Sequence, residues 1–496
     1  MTVNWAVFSP EAGLLLASTS DKANMLVPFY FNNGQVTKLH KFEADICKTA
    51  PSLKLQERDV ILLKLYDKLY AGILKHPQPN STEKCLLSLY LLLKDAVVRK
   101  VYVLRLGMVG RFAFSVVDNL VVAHHQMSKT SMFFDIKLPG VSKQNVVYLD
   151  PLLNPLPIKP FLLKSPASDL TSKTAMTNTV CDLYCATWIV FQPNVIIDAV
   201  LGCMWYLKLV LNEMGDMFQD QTVLVDFLLL RKASKSAVLD VCKQAISPLH
   251  KIPITQIASI FSKINQRYKD YIDAELAYIE KCETQTETSS IPSRHRDWVV
   301  VDQNDLYAQV FFPFSESEEI KSSFKVSVLI EYIKSLHSFK VDIQSFVYEL
   351  LVTCLVKGGS YFELQQLMLH RVIEDSKEVA ALLRSLEDDH PKIDGLALDM
   401  YKRMATCDHQ VIDILLSKKQ VIAAIRFVRS VGMSDLVPAR DFLKASMHDD
   451  MMFYNVYKFF EARNIRLNGK PEFTAAEVCD EYMLHYVTRF VSDVIQ

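Results

Sequence analysis

A chain of 496 residues is longer than one hydrophobic core usually serves, so two or three domains are expected. Half of the residues are apolar and 22% are charged, with 55 Lys+Arg against 56 Asp+Glu, which excludes a disordered chain and an electrostatic nucleic-acid binder. The ten cysteines are scattered, and the close pair Cys181 and Cys185 has no second pair to complete a zinc site, so they read as thiols of a reducing compartment.

Residues 1–20 lack the basic start of a signal peptide, and no apolar run approaches the roughly 18 to 20 residues of a membrane span. The expectation is a cytosolic protein whose membrane contact is peripheral.

From Val3 to about Leu209 apolar residues alternate with a period of two, and turn signals recur every eight to twelve residues or so, which predicts an all-β region. Strands are expected at Val3–Phe8, Leu14–Ser18 and Leu26–Phe31, with Asn33-Gly34 turning the chain into Gln35–Phe42. Asp59–Leu65, Lys68–Leu74, Cys85–Leu92 and Val101–Leu106 form the next set. Phe112–Val116, Leu120–His124 and Ser131–Ile136 follow, with Phe134-Asp135 where a propeller repeat often carries Trp-Asp. A proline-rich connection covers Pro151–Ser172, and Thr187–Phe191, Val195–Ala199 and Cys203–Leu209 close the region. That makes roughly three blades where a closed propeller needs about four to eight, so residues 1–215 are read as a propeller missing its N-terminal blades. An irregular two-sheet sandwich is the alternative.

After Gly215 the period becomes 3.6 and residues 216–496 read as an α-solenoid of irregular helical hairpins, with a polar flexible loop at 283–296. Thirteen glycines in 496 residues, against a usual share of roughly 7%, suit long helical arrays better than a glycine-loop nucleotide fold. Helices are expected at Val223–Arg231, Ser236–Ile246, Ile254–Cys282, Gln303–Phe312, Lys321–Ser338, Ile343–Val356, Tyr361–Val372, Ser376–Leu386 and Leu396–Ala405.

The stretch from Asp408 to Asn464 holds four short helices that can bury their apolar faces only against one another. Ser417 and Gln420 have capping-box spacing, predicting a helix from Lys418 that buries Val421, Ala424, Ile425, Val428 and Val431 and stops at Gly432. Asp449 caps a helix so rich in Met451, Met452, Phe453, Tyr454, Tyr457, Phe459 and Phe460 that it needs cover on both sides. A final helix, Thr474–Ile495, is expected to supply a lid with Val478, Met483, Tyr486, Val487, Phe490 and Val494.

No phosphate-binding loop, zinc-protease helix, nucleophile elbow or EF-hand loop occurs in the sequence, so no catalytic residue, cofactor or metal ligand is assigned. His124 and His125 are adjacent on a strand, point to opposite faces and read as structural. Glu374-Asp375 and Glu387-Asp388-Asp389 read as solvated faces or caps. Arg426 and Arg429, three apart on a polar stripe, are candidates for an acidic partner, and Phe453 and Tyr457 are the apolar candidates beside them.

The runs VDNLVVAHHQ (Val117–Gln126), FDIKLPG (Phe134–Gly140), WIVFQPNVII (Trp188–Ile197), VLIEYIKSL (Val328–Leu336) and LLSKKQVIAAIRFVRSVG (Leu415–Gly432) resemble the family called regulator of the Mon and Ccz complex, also labelled colon-cancer-associated Mic-like. Asp226-Phe227-Leu228-Leu229 and Tyr268-Lys269-Asp270-Tyr271 extend the resemblance, which runs in order along the whole chain. It implies an N-terminal propeller followed by an α-solenoid, and an accessory subunit of the exchange factor for the late-endosomal Rab-seven GTPase. Its implied partners are the longin-domain Mon and Ccz subunits, to which nucleotide exchange is attributed. No catalytic residue is carried over. A subunit of a tethering or coat complex and an enzyme acting alone are the competing readings.

Overall fold

The computed structural model describes the chain apart from residues 1, 33, 46–53, 78–81, 160–161, 167–175, 181–183, 186–187, 200–201, 219, 250–251, 285–298, 388, 394, 405, 475–476 and 492–496. It resolves into two compact units, Met1–Cys242 with Asp270–Val300, and Lys243–Lys269 with Val301–Gln496.

The first unit carries four sheets of three or more strands, a propeller-like β region, where alternation alone suggested about three blades. β1 (Trp5–Ser9), β2 (Leu14–Thr19), β3 (Met25–Asn32) and β4 (Gln35–Lys38) run antiparallel in chain order. β5 (Phe42–Glu43) also pairs with β3, at Met25 and Leu26, so the expected strand Gln35–Phe42 is in fact two. The break turns Leu39 inward, leaving it 3% exposed.

β6 (Val60–Leu65), β7 (Lys68–Lys75), β8 (Leu86–Leu92) and β9 (Arg99–Arg105) form the second sheet. Successive strand residues face opposite sides, and here both sides are covered. Ile61, Leu63 and Leu65 enter one core with Leu87, Leu89, Val121 and Phe134. Leu62, Ala71, Ile73 and Tyr90 enter another with Leu14, Leu16 and Leu26. Gly72 is needed at the crossing, since a Cβ there would lie 2.6 Å from Ile61 Cγ2 and 3.2 Å from Leu89 Cδ2.

The third sheet is β10 (Phe112–Val117), β11 (Leu120–His125) and β12 (Thr130–Phe134). β13 (Val141–Lys143) and β14 (Val146–Leu149) then return to the second sheet, β14 pairing parallel with β9. β15 (Leu162–Pro166) and β16 (Met176–Val180) make a hairpin in the stretch expected to be a loose connection and its continuation. β17 (Trp188–Phe191), β18 (Val195–Asp198) and β19 (Cys203–Tyr206) form the fourth sheet.

Two helices follow the strands. α1 (Gln221–Leu229) is capped by Asp220, whose carboxylate accepts from Thr222 N at 2.8 Å, and α2 spans Lys235–Ile246. α3 (Ile254–Thr284) runs across the division between the units. The polar loop expected at 283–296 lies, from residue 285, outside the described residues.

In the second unit, α4 (Gln303–Leu306) starts at a reciprocal capping box between Asp302 and Asp305 and passes through a π-turn at Tyr307–Phe311 into α5 (Phe312–Glu316). Buried Lys325 donates to the carbonyls of Ser315 (2.6 Å) and Ser317 (2.7 Å), a cation placed where the α5 carbonyls lack helical partners. α6 (Ser322–Ser338), α7 (Ser345–Lys357), α8 (Tyr361–Leu369), α9 (Lys377–Glu387), α10 (Leu396–Arg403), α11 (Asp408–Ser417), α12 (Val421–Val431), α13 (Ala439–Ser446), α14 (Asp450–Asn468) and α15 (Asp480–Tyr486) complete it. Sequential helices pack in pairs, and α7 also meets α9 as α11 meets α13, which makes the array a solenoid of hairpins.

The capping box expected at Ser417 and Gln420 does not form. Ser417 is the last residue of α11 and its hydroxyl donates back to Ile414 O at 2.8 Å. Lys419 takes φ +57°, with Lys419 N bonded to Leu416 O (3.0 Å) and Gln420 N to Leu415 O (2.8 Å). That is a Schellman closure, and α12 begins only at Val421. The same pair of bonds ends α6 at Lys340, α7 at Gly359, α8 at Arg371 and α12 at Gly432, all with positive φ.

Candidate docking surface

α12 buries Val421, Ala424 and Val428 completely, as the apolar spacing requires, while Val431 is 41% exposed and Ile425 half-buried. Arg426 and Arg429 therefore fall on the outer side. Arg426 is exposed and has no ion pair among the described residues, and the Arg429 guanidinium lies 4.8 Å from the centre of the Phe459 ring. That contact joins α12 to α14.

Asp449 caps α14 as expected, accepting from Met451 N (2.9 Å) and Met452 N (3.3 Å). The helix is covered less than its composition suggested, for Met451 is 67% exposed. Phe453 is fully buried and Tyr457 is 8% exposed. Tyr457 stacks on Tyr486 of α15 with centroids 3.9 Å apart and planes 4° from parallel, and Phe453 meets His485 edge-on at 5.0 Å.

The closing helix starts later than the one expected over Thr474–Ile495. Among the described residues α15 begins at Asp480 and continues as a π-turn, Val487–Val491. Tyr486 and Phe490 cover Tyr454, whereas Val478 (53% exposed) and Val487 (48%) face outward, and Val494 lies outside the described residues. Arg463, 6% exposed, ties the base of this lid by bonding Val437 O (2.9 Å), Asn464 Oδ1 and Glu477. The two apolar candidates of α14, Phe453 and Tyr457, are thus interior, and the two arginines are exterior.

The remaining polar candidates have partners within the fold. His124 is 3% exposed and is held by Ser115 Oγ at Nε2 (3.1 Å) and Ser131 Oγ at Nδ1 (2.8 Å), and burial lowers its pKa to about 4. His125 bonds Ser128 Oγ (2.8 Å) and Val109 O (3.2 Å). One residue of each acidic cluster is engaged, Asp375 holding Arg403 through both carboxylate oxygens and Glu387 pairing with Lys418 at 3.2 Å, while Glu374 and Asp389 face solvent. Asp388 and Cys181 lie outside the described residues. Among the described residues no group of three His, Cys, Asp or Glu is placed to hold a metal ion, and no helix is long and apolar enough to cross a membrane.

A family model described as regulator of MON1-CCZ1 complex, C-terminal, matches residues 231–476. The mouse protein named regulator of MON1-CCZ1 complex is 39% identical over 493 residues, covering 98% of this chain and 75% of the relative, and the human protein of the same name matches to the same extent. The chain belongs to this family. A Dictyostelium discoideum homologue of that name is 33% identical over 189 residues, 36% of this chain and 18% of its own length. The family match begins at Arg231, the buried arginine in the turn after α1, and extends over the hairpin array as far as the base of the lid.

Proposed function

We propose that this chain is a non-catalytic scaffold subunit of a MON1-CCZ1 guanine-nucleotide exchange complex, supporting activation of a Rab-seven GTPase in endosome maturation, lysosomal trafficking and autophagy. The observation that carries the reading is identity of 39% sustained over 493 residues with relatives named for regulating that complex.

Docking is assigned to the longin-domain subunits through Arg426 and Arg429 on the outer side of α12. Phe453 and Tyr457 contribute by holding the hairpin that presents Arg429, through α14 and Phe459. Contact with the GTPase is indirect, and the chain is cytoplasmic, reaching late-endosomal and lysosomal membranes peripherally, through the complex.

The test is nucleotide release. The isolated chain should leave release from the GTPase unchanged, and the MON1–CCZ1 pair should act with and without it; a tenfold acceleration by the isolated chain would make it an enzyme. Co-purification with a coat or tethering complex in place of MON1–CCZ1 would redirect the assignment.

A further inference from the structure

The outward faces of α11 and α13 flank an open groove of about 600 Å³, within the size range of about 300–1,000 Å³ typical of ligand sites. Each helix buries one side, Val411, Ile412, Ile414 and Leu415 on α11 and Ala439, Phe442, Leu443 and Ser446 on α13. The opposite sides face the groove, Asp413 and Leu416 from the first helix and Asp441, Lys444 and Ala445 from the second. Lys419, in the Schellman turn that ends α11, and His448, beyond the end of α13, complete its basic end.

The charges are sorted. Asp413 and Asp441 lie within their helices, Lys444 in the last turn of α13 and Lys419 in the turn past the end of α11. None of these four side chains makes an ion pair or a hydrogen bond among the described residues, although opposite signs line the same groove. His448 uses Nδ1 to donate to Ala445 O at 2.9 Å, which leaves Nε2 for a ligand. Half-buried Leu416 and Ala445 and exposed Met447 give the groove an apolar floor.

Lys444 lies about 5 Å from Asp441 along α13 at 1.5 Å per residue, and His448 sits past the helix end. A complementary segment carries its base and its acid at that separation, which is three or four residues apart on one face of a helix. We infer that this groove receives a short helical segment of the MON1–CCZ1 pair, with a Lys or Arg against Asp413 and Asp441, an acid against Lys419 and Lys444, and a small apolar side chain between them. Free ions and small anions match only one end of such a groove. The inference rests on the proposed association with MON1–CCZ1.

The experiment measures affinity of the full-length chain for the purified MON1–CCZ1 pair. Lys419→Glu with Lys444→Glu should weaken binding at least tenfold with an unchanged melting temperature, and carbodiimide should couple Lys419 or Lys444 of the native chain to a partner carboxylate with a base three or four residues away. If that variant does not fold, Asp413→Lys with Asp441→Lys should give the same loss. Affinity within twofold of the native chain in a folded variant overturns the groove assignment while leaving the scaffold reading in place. Absence of binding by the native chain overturns both. A dimer of this chain abolished by the same substitutions overturns the choice of occupant in favour of a second copy.

Discussion

The Arg231 guanidinium and the Asp135 carboxylate meet at 2.5 Å with both side chains fully excluded from solvent. Asp135 Oδ1 also accepts from Tyr66 OH (2.8 Å) and Lys137 N (2.9 Å), and Arg231 donates to Tyr66 OH, Phe227 O and Asp118 O. One cluster thus ties the turn after α1 to the β6–β7 turn, the β10–β11 turn and the end of β12. Its Tyr66 hydroxyl is pushed well above the ordinary phenol range, chiefly by burial.

Removing one partner strands a buried charge, so Arg231→Met or Asp135→Ala should each cost about 3–5 kcal/mol in denaturant unfolding of the full chain. Arg231→Met combined with Asp135→Ala should cost clearly less than the two single losses added. Additive losses would show that the two groups act independently.

His124 predicts an acid sensitivity. Its folded pKa of about 4 lies below the ordinary value of 6.5, so the unfolded chain binds the proton first and stability falls as pH drops from 6.5 to 4. The His124 contribution lost between pH 7 and pH 5 is about 2 kcal/mol. His124→Gln should flatten that part of the unfolding profile by a comparable amount; an unaltered profile contradicts the buried neutral imidazole.

Lys419 sits at φ +57°, a conformation that costs an L residue about 1 kcal/mol and glycine nearly nothing. Lys419→Gly should therefore stabilise the solenoid by about 1 kcal/mol, and Gly432→Ala, at φ +77°, should destabilise it by a similar amount. Thermal melts of the two variants should move in opposite directions.

Tyr486→Ala removes the ring stacked on Tyr457 and packed against Tyr454. A loss of about 3 kcal/mol is expected, with earlier proteolysis in the segment that follows Gly469. Leu484→Ala, at a side chain 69% exposed, should change stability by no more than about 0.5 kcal/mol.

Strong periodicity made most of the fold legible. The α12 face of Val421, Ala424 and Val428 was readable because one side of the helix is apolar at its period, and Leu14–Thr19 and Val60–Leu65 because short apolar runs bounded by turns mark strands covered on both sides. The three-residue strand β13 and the hairpin β15–β16, in a proline-rich and threonine-rich stretch, were not, because pairing across the sheet makes them strands and their own side chains give no alternation. Ser417 and Gln420 misled because a lysine in a left-handed turn carries no composition signal, so the capping spacing was coincidental. Asp135 was visible beside Phe134, but Arg231, 96 residues away, could be recognised only once the fold brought it there. Among the docking candidates, Arg426 and Arg429 were placed outward by helical phase alone, whereas the burial of Phe453 and Tyr457 depends on where α15 lies.

Purifying the tagged 496-residue chain with MON1 and CCZ1 and measuring the mass of the eluted species tests whether it is a scaffold of the exchange complex. One stable species containing all three chains is expected, weakened by Arg426→Glu with Arg429→Glu in a variant that melts as the native chain does. Elution of this chain apart from a MON1–CCZ1 pair that is itself intact would contradict it.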